Sequence, residues 1–374
     1  MPFPPLGTHK DELDTPALCI DLDAFEANVA EAVALCRKHG VAWRPHGKCH
    51  KSPDIARRLI EAGAIGLTCA KLGEAEVFAA AGVPDLLIAN MLAGPRKVER
   101  LVALRRRADP IICLDHIDQA TPISRAMQEA GMKVRAILEI DIGLSRVGVQ
   151  PGKPAVELAR RVSDLPGIEL VGIMGYEGHL LLIEDQKEKG AKIKAALGLL
   201  GETRRAFEKA GLPCPIVSCG GTGSLPFAVK QSGITEIQAG GVIFMDAFYR
   251  HLCKIEQFQY ALFLIATVIS RPVPERAIID AGRKTMNTEI TPPRVRDPGD
   301  SSGGLRGDIQ VTRLSAEHGE LKLEPSAQHL KIGDRLELIP GYGDLTTVLH
   351  NRFYVLQNDR LVDLWPLAGR GRLE

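Results

Sequence analysis

The first thing this sequence lacks is net charge. Its 47 Lys and Arg stand against 46 Asp and Glu, a formal +1. That balance removes the electrostatic case for nucleic acid or an anionic membrane surface as a partner. Long apolar runs are missing too. None approaches the roughly 20 residues that a spanning helix needs. The opening stretch, Met-Pro-Phe-Pro-Pro-Leu-Gly, has no charged segment followed by an apolar one, so no secretory signal is visible and a cytoplasmic location is expected. The cysteines (Cys19, Cys36, Cys49, Cys69, Cys113, Cys214, Cys219 and Cys253) are scattered, and none stands in a C-x-x-C pair. Reduced, buried thiols are therefore expected, not a disulfide framework or a zinc cluster. No G-x-G-x-x-G opens the first helix of an alternating pattern, which weakens the case for a doubly wound open sheet. There is no internal repeat and no low-complexity tract.

What is present is ordinary for a globular enzyme: 374 residues, 45% hydrophobic and 25% charged, with room for one large domain and a smaller one. A strand at 17–21 precedes an amphipathic helix at 23–39. From residue 41 strands and helices alternate. Apolar runs at 41–46, 65–70, 85–90, 110–114, 133–141, 169–176, 215–219 and 236–239 read as strands. Between several of them, segments at 71–81, 96–107, 117–130, 155–163 and 185–210 have helical period. That alternation is the arithmetic of a (β/α)8 barrel. Beyond about residue 252 the runs at 259–269, 277–280, 308–314, 335–339 and 353–357 are short and β-rich. Pro/Gly-rich turns join them, with 292–304 the longest loop. The expected division is 1–24 as a strand joining the β domain, 25–252 as the barrel, and 253–374 as an all-β domain.

The densest chemistry lies in Trp43-Arg44-Pro45-His46-Gly47-Lys48-Cys49-His50-Lys51-Ser52. It reads as a strand end, a polar loop and a helix start, with Ser52 as N-cap and Pro53 at the first helical position. A solvated basic loop would look the same. A lysine at a strand's C-terminal end, facing a helix N-terminus, is also well placed to hold a phosphorylated aldehyde as a Schiff base. Lys51 is the alternative lysine, with its side chain expected in the first turn of the following helix. After the seventh and eighth barrel strands come Ser218-Cys-Gly-Gly-Thr-Gly-Ser224 and Gln238-Ala-Gly-Gly-Val242. In a (β/α)8 barrel this is the usual phosphate end. Gly221, Gly223, Gly240 and Gly241 would let backbone N–H groups approach phosphate oxygens, with a hydroxyl from Thr222 or Ser224. Tight turns require the same glycines.

Arg44-Pro45-His46-Gly47-Lys48-Cys49-His50-Lys51 resembles the R-x-H-x-K-x-H-K loop of the D-threonine aldolase and D-serine dehydratase family, and the resemblance runs along nearly the whole chain. These are pyridoxal-phosphate enzymes with an alanine-racemase-like fold. The resemblance implies that Lys48 carries the cofactor and that both glycine loops bind its phosphate. It further implies that Arg146, in Asp141-Ile-Gly-Leu-Ser-Arg146-Val-Gly148, reaches the cofactor region. A structural pair of Arg146 with Asp141 or Glu139 is the other reading of that segment. Tyr176, in Gly175-Tyr-Glu-Gly-His179, matches the family's aromatic beside the cofactor. A homodimer whose β domain closes the partner's site is implied as well.

Two positions depart from the family. Leu182 stands where many members carry a histidine base, leaving His179 as the nearby imidazole. In Pro340-Gly-Tyr342-Gly-Asp344-Leu-Thr-Thr, Tyr342 replaces the histidine of a metal-binding P-x-H-x-(C/D)-x-T. Asp344 is the remaining ligand for a divalent ion such as Mn or Mg, and neutral tyrosine is a poor substitute for imidazole. Tyr342 could instead serve as a phenol acid/base for Lys48. Three outcomes stay open: aldol cleavage or dehydration of a D-3-hydroxy-amino acid, racemisation by Lys48 and Tyr342, or a non-catalytic cofactor carrier.

Overall fold

The computed structural model describes residues 3–297 and 304–374. The chain forms two compact units, one running up to Glu31 and then over Gly241–Ala368, the other over Ala32–Gly240 and Gly369–Glu374. Among the described residues no helix is long and apolar enough to cross a membrane.

The strand–helix alternation builds the second unit. In chain order the elements begin with β1 (Ala17–Asp21), which belongs to the first unit, and α1 (Leu22–Lys38), whose residues are shared by the two. Then come β2 (Ala42–Trp43), α2 (Pro53–Glu61), β3 (Leu67–Cys69), α3 (Leu72–Ala80), β4 (Asp85–Met91) and α4 (Pro95–Arg105). They are followed by β5 (Asp109–Leu114), α5 (Ile117–Glu129), β6 (Val134–Glu139), α6 (Lys153–Ser163) and β7 (Ile168–Met174). The series ends with α7 (Gln186–Lys209), β8 (Ile216–Cys219), the short α8 (Leu225–Ala228) and β9 (Glu236–Ile237). The strands run in the order β2-β9-β8-β7-β6-β5-β4-β3, all pairings parallel. A bridge between His46 and Thr68 and the Thr68 N–H to Pro45 carbonyl bond (2.9 Å) join the two end strands, closing the ring. Leu87, Ile111, Cys113, Ile137, Val171 and Met174 pack as its buried core. Parallel strands covered on both faces take such unbroken apolar runs.

The first unit is β-rich. It holds β10 (Leu262–Val273), β11 (Arg276–Ile279), β12 (Arg294–Arg296), β13 (Leu305–Leu314) and β14 (Gly319–Leu323). It continues with β15 (Arg335–Ile339), the short α9 (Gly343–Thr347), β16 (Arg352–Gln357) and β17 (Arg360–Pro366). Pairings β10–β11–β14–β13–β12–β15–β10 close a second ring. β1 joins by pairing antiparallel to β10 and parallel to β16. Phe25, Phe244, Phe353 and Trp365 make its aromatic core, with centroids 5.5 to 6.4 Å apart.

The units divide near 31 and 241, where the sequence places divisions at 24 and 252. Residues beyond Gly241 fall in the β unit because Ala247 and Phe248 donate their N–H groups to the carbonyls of Pro340 (3.0 Å) and Gly341 (2.9 Å). Within the expected loop 292–304, residues 294–296 form β12, and 298–303 lie outside the described residues.

Candidate active site

Lys48 sits in a single 3-10 turn, Gly47–Cys49, that follows β2 at the C-terminal mouth of the barrel. Strand pairing stops after Trp43, yet the chain stays tied to its neighbour: Arg44 and His46 donate their N–H groups to the carbonyls of Ile237 (2.9 Å) and Gln238 (3.2 Å). Pro45, between them, has no N–H to give. The His46 imidazole caps the turn, accepting the Lys48 N–H at 3.3 Å. Gly240 makes this approach possible, since a Cβ there would run into the His46 backbone. Burial, together with the positive charges of Lys48 and Lys51, holds His46 well below the usual histidine range. His50 is also buried; its Nδ1 accepts the Ser52 N–H at 3.0 Å, and burial pushes it down to about 3. Both imidazoles are neutral at pH 7.

Two local expectations need correction. Ser52 precedes α2 and Pro53 is at its start, but the Ser52 hydroxyl makes no capping bond. The Ser52 N–H is instead drawn back to His50. Lys51 does not point into α2. Its backbone turns left-handed (φ 51°), and its ammonium is buried against Glu74 of α3. Glu74 also accepts the N–H of Ala70 at 2.6 Å, so one carboxylate ties the lysine loop to the β3–α3 turn.

The other strand ends bring further groups to the same mouth. After β6, Asp141 accepts the N–H groups of Gly143 and Ser145, each at 3.0 Å. These bonds outweigh its partial desolvation and hold it below the ordinary carboxylate range. Arg146 lies 3.4 Å from Glu139 and 5.8 Å from the Tyr176 ring centre. Burial pushes the Glu139 carboxyl up, against the pull of Arg146, and its second oxygen has no partner. Arg146 thus pairs with Glu139, while Asp141 folds the loop that carries it.

After β7 come Tyr176, Glu177 and His179. Tyr176 packs against Gly221, where a Cβ would meet its ring at 3.1 Å. His179 is exposed beside Gly143. After β8, Gly221, Thr222, Gly223 and Ser224 form a tight turn, in which Ser224 Oγ accepts the Gly221 N–H at 3.1 Å. Thr222 is 2% exposed and its hydroxyl has no partner. Sequence reasoning missed Glu177, which is fully buried with both carboxylate oxygens unpartnered. An acidic residue at the end of an apolar strand run was the available signal.

Gly241, Tyr342 and Asp344 belong to the β unit. The Tyr342 hydroxyl donates to Asp344 Oδ2 at 2.9 Å, and its ring meets Phe248 and Tyr249 edge-on at 5.1 and 5.9 Å. Buried Asp246 accepts the Gly343 N–H at 2.8 Å, and burial pushes it up to about 8. Among the described residues no three His, Cys, Asp or Glu side chains converge as metal ligands. Asp344 with a phenol does not fit a tightly held divalent ion.

The barrel with its glycine turns is of the alanine-racemase kind. Residues 20–247 match the family model "Alanine racemase, N-terminal domain", and 261–356 match "Putative serine dehydratase domain". A D-threonine aldolase from an Arthrobacter species is 35% identical, covering 99% of this chain and 97% of its own. D-threo-3-hydroxyaspartate dehydratase from a Delftia species is 31% identical over 94% of this chain and 97% of its own. The crystal structure of D-threonine aldolase from Filomicrobium marinum superposes with a TM-score of 0.94 at 34% identity, covering 99% of both chains. The chain belongs to the D-threonine aldolase and D-serine dehydratase family of pyridoxal-phosphate enzymes with the alanine-racemase-like fold.

The residues of the barrel mouth fit the family's cofactor. A lysine stands on a short turn, and an unpartnered, buried Thr222 hydroxyl sits in a glycine turn. An arginine and a tyrosine lie between them in strand order.

Proposed function

We propose that this chain is a pyridoxal-phosphate lyase that cleaves a D-3-hydroxy-amino acid such as D-threonine between Cα and Cβ, with Lys48 holding the cofactor. The observation that carries this reading is the orphaned Thr222 hydroxyl in the glycine turn after β8, on the same mouth as the Lys48 turn. The bound cofactor supplies an electron sink that weakens one bond at the substrate's Cα.

The chain's own residues do the rest. Lys48 Nζ would hold the aldehyde, and as a free amine it is able to move a proton. Gly221, Thr222, Gly223 and Gly240 would hold the phosphate through backbone N–H groups and one hydroxyl. Tyr176 backs the Gly221 turn, and Arg146 holds a positive charge over the Tyr176 ring. Neutral His46 shapes the lysine turn without adding a competing cation. His179, exposed beside the Asp141 loop, is the base for the substrate's β-hydroxyl. Tyr342, hydrogen-bonded to Asp344, is a second acid/base group. No step is assigned to a metal on Asp344.

Dehydration is the second lyase reading, supported by the likeness to the Delftia dehydratase. Racemisation has only the weaker likeness to alanine racemases behind it. Eight free cysteines support a cytoplasmic setting, and the family resemblance supports a homodimer. Product analysis separates the reactions. Cleavage of D-threonine gives glycine and acetaldehyde; dehydration gives ammonia and a 2-oxo acid; racemisation gives the other configuration at Cα. The expected result is glycine and aldehyde from D-3-hydroxy-amino acids and none from L-threonine. Ammonia without glycine would replace the aldolase reading with the dehydratase one.

A further inference from the structure

Glu177 is the group at the barrel mouth that the proposed chemistry leaves unused. It lies three residues beyond β7, is 0% exposed, and closes no hydrogen bond on either oxygen. Burial pushes its carboxyl up, while the Ser224 hydroxyl, the Glu177 N–H and the Gly220 N–H face it and pull the other way without closing a hydrogen bond. Ser224 Oγ accepts the Gly221 N–H (3.1 Å) and turns its own hydrogen toward the Gly221 carbonyl (3.3 Å). A buried carboxylate whose donors close no hydrogen bond is costly, whereas the neutral acid brings its own donor.

We propose that Glu177 is a proton-holding positioning residue for the phosphate turn. As the neutral acid it donates to Ser224 Oγ, which leaves the Ser224 hydrogen free for the turn's anion. As the carboxylate it would take that hydrogen for itself and face the anion with a like charge. Binding of a phosphate dianion is therefore coupled to uptake of one proton, which passes from solvent to the Glu177 carboxylate. No covalent bond changes.

Burial pushes the Glu177 carboxyl above its ordinary range, in keeping with this role. From β8, the Cys219 thiol faces it, and burial holds that thiol well above the usual range and so neutral. On α7, buried Lys189 places its ammonium 5.9 Å from the centre of the Phe227 ring in α8. Two residues along, His179 is exposed.

The inference rests on the cofactor reading, and the test separates the two. The probe is pyridoxine 5'-phosphate, which carries the phosphate but cannot bond to Lys48. Calorimetric titration runs from about pH 7.5 to about pH 9, where the phosphate is already a dianion. In buffers of different ionisation enthalpy, proton uptake per ligand by the full-length protein should rise toward one as the pH climbs and the free protein loses the Glu177 proton. Its Kd should weaken by up to about tenfold per pH unit. Glu177→Gln, whose amide always donates, should bind with a flat pH profile. Ser224→Ala should be flat and weaker. Zero proton uptake by the unmodified protein at every pH across this range overturns the proposal even if the variants fail to fold. So does a Glu177→Gln profile that matches the parent. No binding at any pH overturns the cofactor reading as well.

Discussion

Arg44 and Lys48 lie on one loop yet serve opposite ends of the barrel. Arg44 reaches back to the N-terminal mouth, where Glu236, Asp85 and Asp109 begin β9, β5's neighbour β4, and β5. It holds Glu236 through Nε (2.9 Å) and NH2 (3.1 Å), and Asp85 at 2.5 Å. Arg135 extends the chain of pairs, to Asp85 at 3.2 Å and Asp109 at 2.8 Å. There the carboxylates and guanidiniums pair by charge, although Arg135 Nε, close to Asp109, closes no hydrogen bond. At the C-terminal mouth the books do not close: Thr222, Glu177 and one oxygen of Glu139 are buried without partners, and two imidazoles are held neutral. The difference teaches which mouth is finished by folding and which by a ligand. Polar groups satisfied within the chain stabilise the fold, whereas orphaned ones mark where a ligand's polar groups belong.

The comparison can be broken at either end. The largest effect is expected at the closed mouth. Arg44→Met leaves buried Glu236 without its guanidinium and should cost about 3–5 kcal/mol of stability, read by denaturant unfolding. Cofactor affinity of the molecules that remain folded should stay within about twofold of the parent, less than 0.5 kcal/mol. A variant that folds normally but loses cofactor would erase the distinction between the mouths.

A middling effect belongs to Gly240→Ala. The new Cβ presses on the His46 backbone and shifts the turn that carries Lys48. Cofactor affinity should fall at least about tenfold, near 1.4 kcal/mol, in a spectral titration. Unchanged affinity would mean that the turn's position is not set by this contact.

At neutral pH the smallest effect is that of His50, which shows only on acidification. His50 is neutral in the folded chain down to about 3, whereas the unfolded chain protonates it near 6.5. The unfolded state therefore binds the extra proton between these values. This contribution to stability is present above about pH 6.5 and declines as the pH falls toward 3, by at most about 1.4 kcal/mol per pH unit. His50→Gln should flatten the acid limb of a stability–pH curve by up to that slope. A limb of unchanged steepness would show that His50 titrates normally in the fold.

Much of the fold was legible because apolar runs and helical period are local properties. The expected run at 110–114 became β5 (Asp109–Leu114), and 117–130 became α5 (Ile117–Glu129). The β unit was harder. β14 carries Glu320 and Lys322 on its exposed side, and β17 carries Arg360, Asp363 and only scattered buried residues. Such strands are made by their neighbours, not by their own composition. The site divided in the same way. The Lys48 loop and the glycine turns announce themselves by residue type. The Lys51–Glu74 pair and the isolation of Glu177 depend on segments distant in sequence meeting in space, which no single stretch records.

The account stands on Lys48 as the cofactor lysine. The most direct measurement is borohydride reduction of the pyridoxal-phosphate-loaded protein, followed by peptide mapping. One phosphopyridoxyl group on Lys48, absent from Lys48→Ala, is the expected result. Label on Lys51, or none on either lysine, would contradict it.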